Sequence, residues 1–146
     1  MVFELKMMEK SITDNGESLE TGAVAGSIGL SEGEASFRTL KEARHLAQSL
    51  AKQCPDFKSA VTGLAELMYN SVEHGNLGID YDEKTILEKE NRFIQEIERR
   101  LKLPENINKV ATIRWKQTDT EIIFTIEDQG EGFDWLPYIE VDAMRL

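Results

Sequence analysis

A change in hydrophobic period along the chain most constrains its fold. From residue 40 to about residue 101, apolar residues recur at the three- and four-residue spacing of helices that bury one side. From residue 110 to residue 127 they alternate with polar or smaller neighbours, as in strands that bury one face. Helices that precede such a strand pair predict an α+β two-layer sandwich, with the helices on one face of a mixed, mostly antiparallel sheet.

A capping box and a proline delimit the first predicted helix. Thr39 and Glu42 match the capping pattern for a helix that begins near residue 40. Ser31 and Glu34 fit the same pattern, so the start is not unique. Pro55 interrupts the helical spacing and therefore predicts the end of this helix.

The second predicted helix begins after Asp56, which can cap it, and continues to about His74. Gly75 and Asn76 follow, and both residues favour the left-handed conformation that ends many helices. The expected buried stripe consists of Val61, Leu64, Ala65, Met68 and Val72. The spacing of these residues predicts one apolar side and one polar side.

A third, strongly charged helix is expected from Asp82 to about Leu103, where Pro104 closes it. Its apolar positions are Ile86, Phe93, Ile97 and Leu101. Two strands follow, in "KVATIRWK" and "TEIIFTIED", with a turn between them.

The N-terminal part is expected to differ from the rest of the chain. "MVFELKMM" and "ASFR" are short-strand candidates, and the stretch between them is rich in Gly, Ser and Thr. That composition is typical of a loop or linker, with one further short strand near Ala23 to Ile28. We therefore expect an N-terminal segment over residues 1–33 and a domain over residues 34–146.

Four polar side chains fall on the side of the second helix opposite the apolar stripe: Glu66, Asn70, Glu73 and His74. Taken alone, they are most simply a solvated helix face. Glu66 and Asn70 are one turn apart, however, so their side chains share one patch. A carboxylate there could accept a proton from an attacking hydroxyl, and an amide oxygen beside it could bind Mg²⁺.

The stretch "TIEDQGEGFDW" places an aspartate and two glycines at the end of the last strand. Asp128 ends an apolar strand, where a carboxylate needs a hydrogen-bonding partner. Gly130 and Gly132 permit positive φ and a close approach of the backbone to a ligand. A plain strand-to-loop turn is the alternative interpretation.

Together, E-x-x-x-N on a helix and D-x-G-x-G after a strand resemble the N box and first glycine box of the GHKL, or histidine-kinase-like, ATPase superfamily. "GLAELMYNSVEHGN" and "IEDQGEGFDW" look most like the anti-sigma-factor serine kinases and related bacterial regulatory ATPase domains. The resemblance covers about residues 35–135. It implies the Bergerat-type ATP-binding fold.

The resemblance also implies roles for individual residues. Glu66 corresponds to the catalytic base, and Asn70 to the ligand of the Mg²⁺ that bridges the ATP phosphates. Asp128 corresponds to the acceptor for the adenine amino group, and Gly130 and Gly132 shape the adenine pocket.

His74 and Glu73 are assigned less directly. For His74 the resemblance leaves a structural role and a phosphate contact open, with the structural role favoured. Glu73 is expected to be solvated or to support a neighbouring side chain. In the family a lid and a second glycine box follow the first, and this sequence contains no second box before Leu146. We therefore expect either a fragment of a longer protein or a shortened member of the family.

By resemblance, the chain is expected to transfer phosphate from ATP to a serine of a partner protein. The implied partners are an antagonist protein of the anti-sigma type and a sigma factor, and a homodimer is plausible. Two alternatives are a non-catalytic protein-interaction module of the same fold and the ATPase part of a two-component-type signalling regulator.

Composition restricts the setting in which such a domain acts. Seventeen basic and 27 acidic residues give a formal net charge of −10, which argues against direct nucleic-acid binding. The single cysteine, Cys54, suits a reducing compartment. No stretch is long and apolar enough to span a bilayer, so a cytoplasmic location without membrane contact is expected.

Overall fold

The computed structural model describes residues 1–8 and 32–131. The elements in chain order are β1 (Val2–Met8), β2 (Glu32–Phe37), α1 (Leu40–Ala51), α2 (Phe57–Asn70), a π-helical turn (Ser71–Asn76), α3 (Tyr81–Lys89), α4 (Phe93–Leu101), β3 (Ala111–Gln117) and β4 (Glu121–Glu127). The strand expected near Ala23 to Ile28 lies outside the described residues. Within those residues, no helix is long and apolar enough to cross a membrane.

The four described strands form one sheet in the order β1-β4-β3-β2. All three pairings among the described strands are antiparallel, in agreement with the mostly antiparallel sheet that was expected; none of these pairings is parallel. The N-terminal strand belongs to this sheet, because β1 pairs with β4 along its whole length. As a consequence β4 is an inner strand, with β1 on one side and β3 on the other. Asp128, the residue that follows β4, lies at the end of this inner strand.

One face of the sheet forms the core. Phe3, Ile126 and Ile113 lie opposite one another across three strands, and all three are buried. Arg114 and Glu127 point to the other face, where they form an exposed ion pair of 3.0 Å. The alternation predicted from the sequence therefore divides the sheet into an apolar face, on which the helices pack, and a charged face.

Side-chain caps begin the first two helices at the predicted residues. Thr39 accepts a hydrogen bond from the backbone N–H of Glu42 at 3.1 Å. The Glu42 carboxylate accepts from the backbone of Arg38 at 2.8 Å, one residue before the position that a capping box requires. Asp56 accepts from the backbone of Ser59 at 3.2 Å. Both predicted helix starts are confirmed.

The helix that begins after Asp56 ends at the predicted residues, since its π-helical continuation stops at Asn76, but the predicted manner of ending is wrong. No left-handed residue stops the helix at Gly75 or Asn76; the chain continues instead through the π-helical turn. The backbone N–H of Leu77 bonds the carbonyl of Val72 at 3.0 Å, five residues back, which is the wider hydrogen-bonding pattern of a π-helix. The positive φ, 65°, occurs later, at Gly78.

The third predicted helix is in fact two helices. Its pattern breaks at Asn91, which adopts a φ of 55° between α3 and α4. Asparagine tolerates this left-handed conformation, and the conformation ends a helix. The break changes which residues face the core: Leu87 is buried, whereas Ile86, expected in the stripe, is 55% exposed.

Candidate functional site

The carboxylate of Asp128 lies buried at the end of β4, and its two oxygens have different surroundings. Oδ1 accepts from the backbone N–H of Gly130 at 2.9 Å and from the α-amino group of Met1 at 3.1 Å. Oδ2 is buried and has no hydrogen-bond partner in the part of the chain that the structure describes. A buried acceptor in this state is costly unless a ligand or water donates to it.

Two glycines bring the end of α2 onto the end of β4. A Cβ at Gly75 would lie 2.3 Å from Oδ2 of Asp128. A Cβ at Gly130 would lie 2.1 Å from the carbonyl oxygen of Gly75. Both distances are far below van der Waals contact, so this junction requires glycine at both positions.

Asn76 fastens the same junction through its side chain. Its Oδ1 accepts from the backbone N–H of Gln129 at 2.7 Å, and its backbone carbonyl accepts from Nζ of Lys109 at 3.3 Å. The residue is buried, yet its Nδ2 has no hydrogen-bond partner among residues 1–8 and 32–131. Within the described residues, the junction therefore contains one donor without an acceptor, at Asn76, and one acceptor without a donor, at Asp128.

A cavity of about 590 Å³ opens beside this junction. Its described lining includes the segment of residues 74–80, which runs from the end of the π-helical turn to the start of α3. Three basic residues and the last two described residues of the chain also line it. The basic residues are Arg99, Arg100 and Lys109, and the last two are Gly130 and Glu131. Of the predicted site residues, His74 and Gly130 line the cavity; Glu66, Asn70 and Asp128 are not among its described lining, and Gly132 lies outside the described residues.

Burial contradicts the interpretation of the polar side of α2 as a solvated face. Asn70, Glu73 and His74 are all buried, with exposures of 9%, 3% and 4%. Glu66 is partly buried. Because these groups leave water on folding, each needs a polar partner or a ligand.

Glu73 has such a partner, so the expectation that it is solvated is wrong. Nζ of Lys84 lies 2.7 Å from its Oε2. Desolvation raises the pKa of Glu73 above its ordinary value of 4.5, and the hydrogen bond from Lys84 opposes this rise. The carboxylate is therefore paired with a lysine that comes from the next helix, α3.

The imidazole of His74 is held on two sides. Its Nδ1 contacts the carbonyl oxygen of Ile79, and its ring stacks on Tyr81 with centroids 4.1 Å apart. Burial lowers the pKa of His74, which favours a neutral ring with the proton on Nδ1, donated to Ile79. The ring also lines the cavity, so both roles expected for His74 stay open.

Comparison of the chain with models of protein families, with curated proteins and with solved structures gave no match. The site is therefore interpreted from its own geometry and chemistry.

Several residues at this site were not predicted to contribute to it. Gly75 and Asn76 were interpreted only as the local end of a helix, because the contacts described above are with residues at least 33 positions away. Lys84 and Lys109 are single basic residues in charged stretches, and no local pattern distinguishes them. The sequence offered one signal for this junction, the glycine of "EHGN", Gly75. A close approach of another backbone segment explains a glycine at such a position.

Gly75→Ala is expected to destabilise the protein by several kcal/mol, because the methyl group would overlap the carboxylate of Asp128. Gly78→Ala is the matched control: its surroundings are open, and only the positive φ opposes alanine, at a cost of about 1 kcal/mol. Chemical denaturation of both variants measures the difference. Equal losses would contradict the close junction.

Lys84→Met is expected to lower the free energy of unfolding by about 3 kcal/mol at pH 8, because it leaves a buried carboxylate unpaired. The loss should be smaller at pH 5. A raised native pKa means that the native state binds the Glu73 proton more tightly than the unfolded state does. The stability contributed by Glu73 therefore falls as pH rises from its ordinary pKa to its raised native pKa.

The double variant Glu73→Gln/Lys84→Met is the control for this pair. It removes both charges and should recover most of the stability lost in Lys84→Met, with little dependence on pH. Denaturant unfolding of the three proteins at pH 5 and pH 8 tests the ion pair. A pH-independent loss in Lys84→Met would rule out Glu73 as its cause.

Proposed function

We propose that this chain is an ATP-binding regulatory domain of the GHKL type that resembles an anti-sigma-factor serine kinase. One observation carries the proposal: the end of the helix that bears E-x-x-x-N meets the start of D-x-G-x-G. Gly75 lies against Asp128, and Gly130 lies against Gly75. The segment that follows E-x-x-x-N and the start of D-x-G-x-G, more than 50 residues apart in the chain, thus meet at one corner, which supports a ligand site there.

The chemistry of Asp128 suits the adenine amino group. With Oδ1 occupied by two donors, Oδ2 is left as a buried acceptor without a donor among the described residues. The 6-amino group of adenine supplies such a donor, and a buried hydrogen bond to a charged group contributes about 1.5–3 kcal/mol. The proposal therefore gives the unsatisfied oxygen a ligand.

The phosphate chemistry is proposed for Asn70 and Glu66. No cluster of three His, Cys, Asp or Glu side chains that could hold a metal occurs in the described residues. Mg²⁺ in nucleotide sites does not need one, since it takes one or two protein oxygens together with phosphate oxygens and water. The largely buried carboxamide of Asn70 fits this role, and bound Mg²⁺ would supply charge neutralisation at the phosphates.

We assign the role of general base to Glu66, which lies one helical turn before Asn70. In the proposed step its carboxylate takes the proton of a serine hydroxyl. The serine oxygen forms a bond to the γ-phosphorus, the bond from that phosphorus to the bridging oxygen breaks, and ADP leaves. The proposed acceptor is a serine on an antagonist protein, with a sigma factor as the regulated partner, in the cytoplasm.

The first experiment is titration of the chain with ATP, with and without Mg²⁺, beside Asp128→Asn. Because Oδ1 accepts two N–H donors, the amide oxygen of the variant should keep that position and the NH₂ group should replace Oδ2. A donor would then face the adenine amino group. We expect ATP affinity to fall by about 30-fold or more.

Asp119→Asn, at an exposed turn between β3 and β4, is the matched control and should bind ATP as the unchanged protein does. Asn70→Ala should remove the Mg²⁺ dependence of binding. Circular dichroism of each variant checks folding. Absence of ATP binding by the folded, unchanged protein would overturn the proposal and favour a protein-interaction module of the same fold.

Glu66→Gln is expected to separate binding from chemistry. The substitution keeps the shape of the side chain but removes the base, so ATP affinity should change less than threefold while turnover falls by about 100-fold. Release of radiolabelled phosphate from ATP, with water as the acceptor, measures turnover. Glu98→Gln, exposed on α4, is the control, and unchanged turnover in Glu66→Gln would reject the base assignment.

A further inference from the structure

We propose that Asn76 reads the base of the bound nucleotide by donating from Nδ2 to a ring nitrogen of adenine, beside the contact of Asp128 with the 6-amino group. This inference rests on the proposed ATP site and adds to it a residue that determines specificity. Its basis is the pair of buried polar atoms, at the junction between α2 and β4, that have no hydrogen-bond partner in the described part of the chain.

The two atoms differ in hydrogen-bonding sense. Nδ2 of Asn76 can only donate, and Oδ2 of Asp128 is an acceptor. Both residues are at least nine-tenths buried, with exposures of 4% and 5%. Leaving either group unsatisfied costs about 1–3 kcal/mol, so a ligand that bonds to both gains binding free energy from each.

The junction keeps the two side chains close together. Asn76 bonds the backbone of Gln129, the residue directly after Asp128. Gly75, the residue directly before Asn76, lies against the carboxylate of Asp128. The contacts of Gly75 and Asn76 therefore hold the amide of Asn76 near the carboxylate of Asp128.

The orientation of the Asn76 amide is also fixed. Its Oδ1 accepts from the backbone N–H of Gln129 at 2.7 Å. Rotation of the amide by 180° would place the NH₂ group against that N–H, donor against donor, so Nδ2 must occupy the other position. Asn76 lines the cavity of about 590 Å³, a volume in the range of small-molecule sites.

Adenine matches this pair of groups. Its 6-amino donor lies beside a ring-nitrogen acceptor on either edge, N1 or N7, and asparagine commonly binds the N6/N7 edge. Hypoxanthine and guanine have an acceptor oxygen at position 6, which would face the acceptor Oδ2. The arrangement therefore predicts selection of ATP over ITP and GTP.

The test compares ATP with 1-deaza-ATP, 7-deaza-ATP and ITP by calorimetric titration of the full chain. One of the two deaza analogues lacks the nitrogen that Asn76 contacts and should bind about fivefold more weakly than ATP, whereas the other should bind as ATP does. ITP should bind more weakly than either. This arm uses the unchanged protein, so it does not depend on the folding of a variant.

Asn76→Ala supplies the second arm. It should bind ATP about fivefold more weakly and should no longer distinguish ATP from the sensitive deaza analogue, because the contact is already lost. Asn108→Ala, at an exposed position, is the control and should retain the distinction. Loss of discrimination only in Asn76→Ala supports the assignment.

Two results would overturn the inference, and they are distinguishable. If ATP binds in a manner that depends on Asp128 but both deaza analogues bind equally well, Asn76 does not read the base, and the ATP site stands. If the unchanged protein binds no ATP, the proposed function fails together with the inference.

Discussion

The contact between the end of the long helix and the end of the central strand positions everything else in the candidate site. Asn76 accepts from the backbone of Gln129, and Gly75 packs on Asp128. Because β4 is an inner strand that pairs with β1 and β3, this contact fixes the end of the helix relative to all three of these strands. The contact requires a residue without a Cβ at position 75, since a methyl group there would overlap the carboxylate of Asp128 and push the helix and the strand apart.

The π-helical turn makes that contact compatible with a continuous helix. A wider turn changes the direction in which residues 71–76 face, and all six are buried. Burial of polar groups here is offset by partners from the following segment: Lys84 pairs with Glu73, and Tyr81 stacks on His74. Lys84 and Tyr81, both in α3, thus supply the contacts that the buried side chains of Glu73 and His74 need. This gives a reason why a charged segment follows the motif directly.

Local patterns predicted the elements, whereas contacts distant in sequence decided the details. The caps at Thr39 and Asp56 and the alternation in β3 and β4 depend on neighbouring residues, and those predictions were confirmed. The break at Asn91 was missed because apolar spacing continues through it. The burial of Glu73 was missed because its partner lies 11 residues along the chain, on another helix.

The candidate site shows the same limit. Its two motifs were recognised from spacing, but neither motif indicates that Gly75 touches Asp128 or that Asn76 holds Gln129. Glycine and asparagine after a helix have a sufficient local explanation as a cap, and that explanation concealed their tertiary role. The sequence therefore predicted candidate residues at each end, which stay predictions, whereas the junction between the two ends required the fold.

The overall charge gives a physical reason why base recognition and phosphate chemistry would be divided between two places on the continuous helix, Asn76 in the π-helical turn and Asn70 at the end of α2. A chain with a net charge of −10 repels a free triphosphate, so the proposed function requires a metal ion where the phosphates would bind. Base recognition has no such need, because it can use buried hydrogen bonds at a rigid backbone junction. Asn70 and Asn76 are six residues apart, roughly 9 Å along a helix, far enough for one ligand to meet each requirement at a separate end.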